Sequence, residues 1–467
     1  VSTTNTSVKT ESGKPNGSKR ERGLAKYFEF QKHGTNYRRE TIAGLTTFLA
    51  MAYILFVNPN MLSGGELPEE LAYLFPSFSA VYTATAVAAV IGCLVMGFLA
   101  KYPIALAPGM GLNAFFTFTV VLQFGIPWQQ ALAGVFVSGV IFLILTVIKV
   151  REKIINAIPE GLKNAAAAGI GLFIAFIGLK SAGIVVNSDA TLVQIGSLHE
   201  KTTVLALIGI VVTALMMVRK IKGAIFYGMV ITAIVGMFMG IVNTPDGVMS
   251  TPPPATAFGA LFDPLFDLSV MLDSTMLIVI FTFLFVDFFD TAGTLVGVAS
   301  QANLMKDNKL PRAGKALAAD SIATIAGATM GTSTTTSYVE SSAGVAAGGR
   351  TGFTAVVTGA FFFIAMFFSP LLSVVTSEVT APALIMVGVL MASNLLKISW
   401  DQIEEAIPAF ITVVTIPLTF SIANGIALGF ILYPLTKVAR GKAKEVHWIM
   451  YLMFFVFLAY FIFLTGA

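Results

Sequence analysis

The sequence is short of three things: cysteine, histidine and charge. One cysteine, Cys93, stands in 467 residues and sits inside an apolar run, so the chain holds neither an intrachain disulfide nor a thiolate metal cluster. The three histidines, His33, His199 and His447, lie outside the strongest apolar runs. That leaves no buried histidine relay, and any proton chemistry at mid-membrane depth falls to carboxylates. Charged residues make up 12% of the chain and hydrophobic ones 56%, with a mean hydropathy of +0.83; soluble domains carry about a quarter charged residues. A soluble domain is excluded. The net charge of +4 comes from Lys and Arg at the ends of apolar runs rather than from a basic face, which excludes nucleic acid as a partner.

What the chain has instead is long apolar runs, recurring from Thr41 to the C-terminus. At about 20 residues per crossing they supply a dozen or more helices, so the fold class is an all-α polytopic membrane protein. The runs are continuous and rich in Ala, Leu, Ile, Val, Phe and Gly, without the period of two that a transmembrane barrel requires. Residues 1–24 are polar and too poor in apolar side chains to pack, which reads as a disordered tail with no signal-peptide core behind it. Residues 25–40 mix aromatics with Lys and Arg and read either as a segment lying along the membrane surface or as a plain connector.

Seven segments are expected near residues 41–61, 80–99, 108–124, 128–149, 161–180, 202–218 and 224–242, forming a first repeat over 41–242. A polar, proline-containing stretch, 243–274, forms an extracytoplasmic connector. Seven more are expected near 275–297, 313–330, 333–349, 351–372, 380–396, 407–421 and 424–437, a second repeat over 275–437. Lys149, Arg151 and Lys153 follow segment 4, Arg219, Lys220 and Lys222 follow segment 6, and Lys306, Lys309 and Arg312 follow segment 8. These loops and the basic N-terminus therefore share the cytoplasmic side. With seven segments per half, the second half enters from the opposite face, an inverted repeat of the kind many secondary transporters use. Residues 438–467 form a basic linker and one more hydrophobic run, Trp448 to Leu464, which either spans or rests in the interface.

Two stretches break the apolar pattern at corresponding places. Segment 3 reads KYPIALAPGMGLNAFFTF, with IALA as a short extended run and Pro103, Pro108, Gly109 and Gly111 forbidding a continuous helix; segment 10 reads GTSTTTSYVESSAGVAAGG. Irregular backbone at this depth survives only where protein or a water-filled cavity satisfies it, and matched interruptions point to a substrate site. Each break is followed by a half-helix whose first turns hold Asn113 in one case and Tyr338, Val339 and Glu340 in the other. Segment 8 carries Asp287 and Asp290, three apart and so on one helical face. Each costs about 2.5–3.5 kcal/mol at the bilayer centre, which calls for a polar cavity.

Three carboxylates and an asparagine would repel an anion such as sulfate or bicarbonate. They suit a small neutral molecule with both N–H donors and acceptor atoms. Phe115, Phe116, Phe288 and Tyr338 are near enough in sequence to stack on a flat ring, plain packing being the alternative for each. Asp290 has a second reading as a buried hydrogen-bonding post, and Asp320, with Lys315 before it, reads as a structural helix-face pair. A buried acid can carry a proton near neutral pH, and the same acids with threonine oxygens can hold Na⁺; spacing does not choose between them. An intramembrane aspartyl protease is set aside because Asp287 and Asp290 share one helix.

The motifs FLFVDFFDTAGTLVG, APGMGLNAFFTF, TTTSYVESSAGVAAGGRTG and IPAFITVVTIPLTFSIANGIALGF, in that order, resemble the AzgA-like hypoxanthine/guanine/adenine permeases of the nucleobase:cation symporter-2 group, from about Tyr27 to Lys437. The resemblance implies the uracil-permease fold: fourteen segments in two inverted repeats, short central β-strands in segments 3 and 10, a core domain of segments 1–4 and 8–11, and a gate domain of segments 5–7 and 12–14. It implies a purine held by Asp287, Glu340, Asn113 and backbone at Tyr338 and Val339, with Phe115 and Phe288 nearby. It further implies proton symport through Asp290, Glu340 or Asp287, with no cofactor. Uracil permeases carry a histidine where this chain has Thr291, which argues for the purine branch. The expectation is a non-enzymatic proton-coupled purine importer of the cytoplasmic membrane, N-terminus inside, with a homodimer as its candidate assembly and an inorganic-anion carrier or Na⁺-coupled purine symporter of the same fold as alternatives.

Overall fold

In a computed structural model of the chain, residues 23–64, 69–149, 158–302, 304 and 310–464 are described. Residues 1–22 of the expected tail 1–24 and the loop residues Arg151, Lys153, Lys306 and Lys309 lie outside them, as does the side chain of Asp290, while Leu24 at the tail's end already opens the short helix Leu24–Tyr27. Eight helices among the described residues are long and apolar enough to cross a membrane, and shorter apolar helices such as Met110–Gln123 and Ala224–Phe238 accompany them. Every expected segment has its counterpart, from Tyr37–Leu62 for segment 1 to Ile422–Ala439 for segment 14.

Segment 1 departs from a single continuous helix. It divides into Tyr37–Met51 and Ile54–Leu62 around a tight turn at Ala52 and Tyr53, where Leu55 N–H and Phe56 N–H reach back only three residues. Segments 3 and 10 contain the two central strands, β1 (Leu106–Pro108) and β4 (Thr335–Ser337). Between segments 5 and 6 an unforeseen hairpin, β2 (Val185–Ser188) with β3 (Leu192–Ile195), turns back through Leu192 at φ 68°.

Packing divides the segments into two groups. Segments 1 and 11, 2 and 9, 2 and 11, 4 and 8, and 4 and 9 pack together, while 5 packs with 12 and 13, 6 with 7 and 12, and 13 with 14. A shift of one repeat maps the pairs onto one another: 1 with 11 becomes 8 with 4, 5 with 13 becomes 12 with 6, and 6 with 7 becomes 13 with 14. The two groups are the core and the gate of a duplicated fold.

The segment before the first span is docked on protein. Phe28 and Phe30 are buried against Phe98 and Phe353, and Lys101 Nζ donates to Tyr27 O at 2.8 Å. The connector also lies on the bundle: Thr83 Oγ1 donates to Pro253 O at 2.9 Å, Ser250 N–H to Phe367 O at 2.9 Å, and Gly259 N–H to Thr329 O at 2.9 Å. The last run forms the helix Trp448–Leu464, whose Phe457 meets Phe281 and Phe285 of segment 8 and Phe430 of segment 14. Lys437 pairs with Glu405 at 2.8 Å and Lys442 with Glu404 at 2.6 Å, fixing the linker that leads to it.

Candidate functional site

β1 and β4 pair antiparallel, Leu106 opposite Ser337, Ala107 opposite Thr336 and Pro108 opposite Thr335. Pro103 and Pro108 deny helix to one side, and the β-branched run Thr334–Thr336 favours extended backbone on the other. The ladder is lengthened by Gly109 N–H to Thr334 O at 2.8 Å and Tyr338 N–H to Ala105 O at 3.0 Å. Its outer edges are covered symmetrically. On β4, Thr324 of segment 9 accepts from Thr335 N–H at 3.3 Å and donates to Thr335 O at 3.0 Å. On β1, Cys93 of segment 2 accepts from Leu106 N–H at 3.4 Å and donates to Leu106 O at 3.5 Å. The lone cysteine thus satisfies a strand edge at a depth where no water would. Gly92 beside it is required by close approach, since a Cβ there would lie 2.9 Å from Leu106 Cβ.

The antiparallel pairing sends the helices Met110–Ala114 and Ser341–Ala346 away from opposite ends of the ladder, and segment 8 packs on both of these and on β4. Asn113 is fully buried; its Oδ1 accepts from Ser333 Oγ, and its Nδ2 has no hydrogen-bond partner among the described residues. Asp287 is buried on segment 8, with Thr291 Oγ1 3.5 Å from Oδ1. Glu340 stands at the start of the segment 10 helix without capping it, and its Oε1 accepts from Tyr53 OH at 2.6 Å. That helix has only six residues, so its dipole is a minor part of the field here.

Three expectations need correcting. Tyr338 does not offer a free backbone donor: its N–H is taken by Ala105 O and its hydroxyl donates to Pro108 O, because both groups are needed to close the strand pair. Phe115 is buried edge-on against Phe283, with centroids 5.0 Å apart, and Phe288 packs on Phe142 at 6.2 Å; segments 4 and 8 fill the space where a ligand ring would stack on them. Val339 keeps its N–H out of the backbone network, and its side chain is 46% exposed.

Other groups at the site were not singled out from sequence. Tyr53 comes from the break in segment 1, and a tyrosine hydroxyl in mid-run that needs an acceptor was its signal. Thr291 Oγ1 lies 2.8 Å from Asp320 Oδ1 as well as near Asp287, so the acid read as a structural helix-face pair with Lys315 on segment 9 is a buried neighbour of the segment 8 acid. Asn58 Nδ2 donates to Thr85 Oγ1 at 2.6 Å and Thr332 Oγ1 at 2.9 Å, tying segments 1, 2 and 10 together behind the strands.

A two-group helical bundle whose broken segments pair as strands at its centre is the frame of a multi-pass membrane protein. Residues 38–428 match the Xan_ur_permease profile, described as "Permease family", and the chain belongs to that family. It is 58% identical to the guanine/hypoxanthine permease PbuG of Bacillus subtilis (strain 168), over 94% of this chain and 99% of that one. It is 43% identical to the adenine permease AdeQ of Escherichia coli (strain K12), over 91% and 93%. Among solved structures, the transmembrane domain of the cyanobacterial bicarbonate transporter BicA is similar at a TM-score of 0.63 and 15% identity, covering 84% of this chain and 97% of that domain, a likeness of fold alone.

Proposed function

We propose that this permease imports purine nucleobases across the cytoplasmic membrane by proton symport, with its N-terminus inside. The observation that supports the reading is the packing of segment 8, which carries Asp287, on β4 and on the two short helices that hold Asn113 and follow Glu340. The two carboxylates receive ring N–H groups, and the unpaired Asn113 amide and the Val339 N–H meet ring nitrogens or a carbonyl oxygen. A handful of such bonds at about 0.5–1.5 kcal/mol each, with apolar contact, reaches micromolar affinity. The names of PbuG and AdeQ support a purine. The same acids weigh against the inorganic anion that the BicA fold carries, since an ionised pair repels it.

Proton coupling rests on carboxylates alone in a core without a membrane-depth histidine, with Asp287, Glu340 and Asp290 as carriers. The packing of core and gate as separate groups supports movement of one against the other. Uptake of radiolabelled hypoxanthine in cells lacking their own purine carriers tests the whole reading. Accumulation should persist in Na⁺-free buffer and collapse when a protonophore is added; accumulation that needs Na⁺ or ignores the protonophore would remove proton symport.

A further inference from the structure

A cavity of about 540 Å³ opens between core and gate, lined by no residue of the central strands. Its core wall holds Asn60 at the end of segment 1, Phe78 at the start of segment 2 and Leu372 at the end of segment 11. Its gate wall holds Thr202 at the start of segment 6 and Thr376 to Glu378 at the start of segment 12. By the chain's orientation, all of these are extracellular ends.

The lining mixes polar and apolar side chains in about equal measure. Asn60 is 6% exposed and lines the space, and its side chain makes no hydrogen bond to the other described residues. Its amide is left to bond whatever enters the cavity. The 16-residue helix Ser377–Ala392 begins here, and its N-cap Thr376 leaves the helix end uncapped, the Thr376 hydroxyl being buried without a partner. Free N–H groups of that first turn favour acceptor atoms, while Glu378 and Asn60 Oδ1 accept. Phe78 and Leu372 supply apolar faces. The lining therefore offers donors, acceptors and apolar surface in a space well within the range of small-molecule sites, about 300–1,000 Å³.

We infer that this cleft is an extracellular docking site for the nucleobase, occupied before the base reaches Asp287 and Glu340. The inference rests on the transport reading and adds a second, outer station to it. A base entering here meets the same mixture of groups as at the centre, without giving up its whole hydration at once.

The single buried cysteine makes a direct test possible. Wild-type protein should resist a membrane-impermeant maleimide, because Cys93 is buried at a strand edge. Thr202→Cys in intact cells should be labelled from outside. Hypoxanthine at about four times its dissociation constant should slow that labelling about fivefold, as simple occupancy requires, and ribose should not. The decisive background is Thr202→Cys with Asp287→Asn, in which the central site is disabled: protection should survive there and disappear when Asn60→Leu is added. Protection lost with Asp287→Asn, protection kept with Asn60→Leu, or no labelling from outside would each overturn the outer site. Hypoxanthine uptake by the wild type is measured in the same cells. Its absence overturns the transport reading, whereas uptake with an unprotected thiol overturns the outer site alone.

Discussion

Segments 3 and 10 occupy equivalent places in the duplicated fold, yet they do different work. Both contain a three-residue strand, and the two strands lie against each other. Segment 3 is built from IALAP and then runs as helix through Met110–Gln123, with Asn113 its one amide at the centre. Segment 10 is built from TTTSYVESS and keeps only six residues of helix, Ser341–Ala346, after Glu340. Duplication supplied the geometry twice; the carboxylate was placed once. On the proposed reading, an apolar arm that positions and a polar arm that bonds would give the site a direction that a symmetric pair would lack.

That division is tested first at the acids. Glu340→Gln and Asp287→Asn should each abolish purine uptake, a loss beyond about a hundredfold if each removes two charged hydrogen bonds worth about 1.5–3 kcal/mol apiece, while immunoblots of isolated membranes show unchanged protein. Near-normal uptake by either would erase the distinction between the arms. Asn113→Ala on the apolar arm should do less, raising the half-saturating hypoxanthine concentration about five- to fiftyfold for about 1–2.3 kcal/mol of lost bonding. An effect as complete as that of the acids would make the arms equal partners. Tyr53→Phe removes only the donor to Glu340 and should cost about 0.5–1.5 kcal/mol, a two- to tenfold change in the same uptake curve. The smallest effect is expected of Thr334→Val on the polar arm. The Thr334 hydroxyl is buried without a partner among the described residues, so the change should stay within about 0.5 kcal/mol. A larger loss of uptake would move the strand's own hydroxyls into the binding site.

Much of the frame was readable before any coordinates. Apolar runs separated by charged loops are a direct physical record of bilayer crossings, and Pro103, Pro108 and the TTTS run mark where helix must fail. The break at Tyr53 was not readable, because MAYILF carries no proline or glycine; the turn is imposed by neighbours. The fates of Phe115 and Phe288 were equally hidden. An aromatic near a site in sequence can face ligand or packing, and here Phe283 and Phe142 took them. Asp320 was undervalued because its partner Thr291 lies 29 residues away on another helix.

The sequence by itself determined that the chain lives in a membrane and that its repeats are inverted, and it singled out Asp287, Glu340 and Asn113 as the residues to propose for binding, since the cost of polar groups at the bilayer centre restricts where they can stand. Only the tertiary structure decided what each of them meets. Strand pairing claimed the Tyr338 N–H, the break in segment 1 delivered Tyr53 to Glu340, and the cysteine whose scarcity ruled out disulfides turned out to cover the edge of β1. Those partners are far apart in the chain, and long-range hydrogen bonds leave no local pattern from which they could be read.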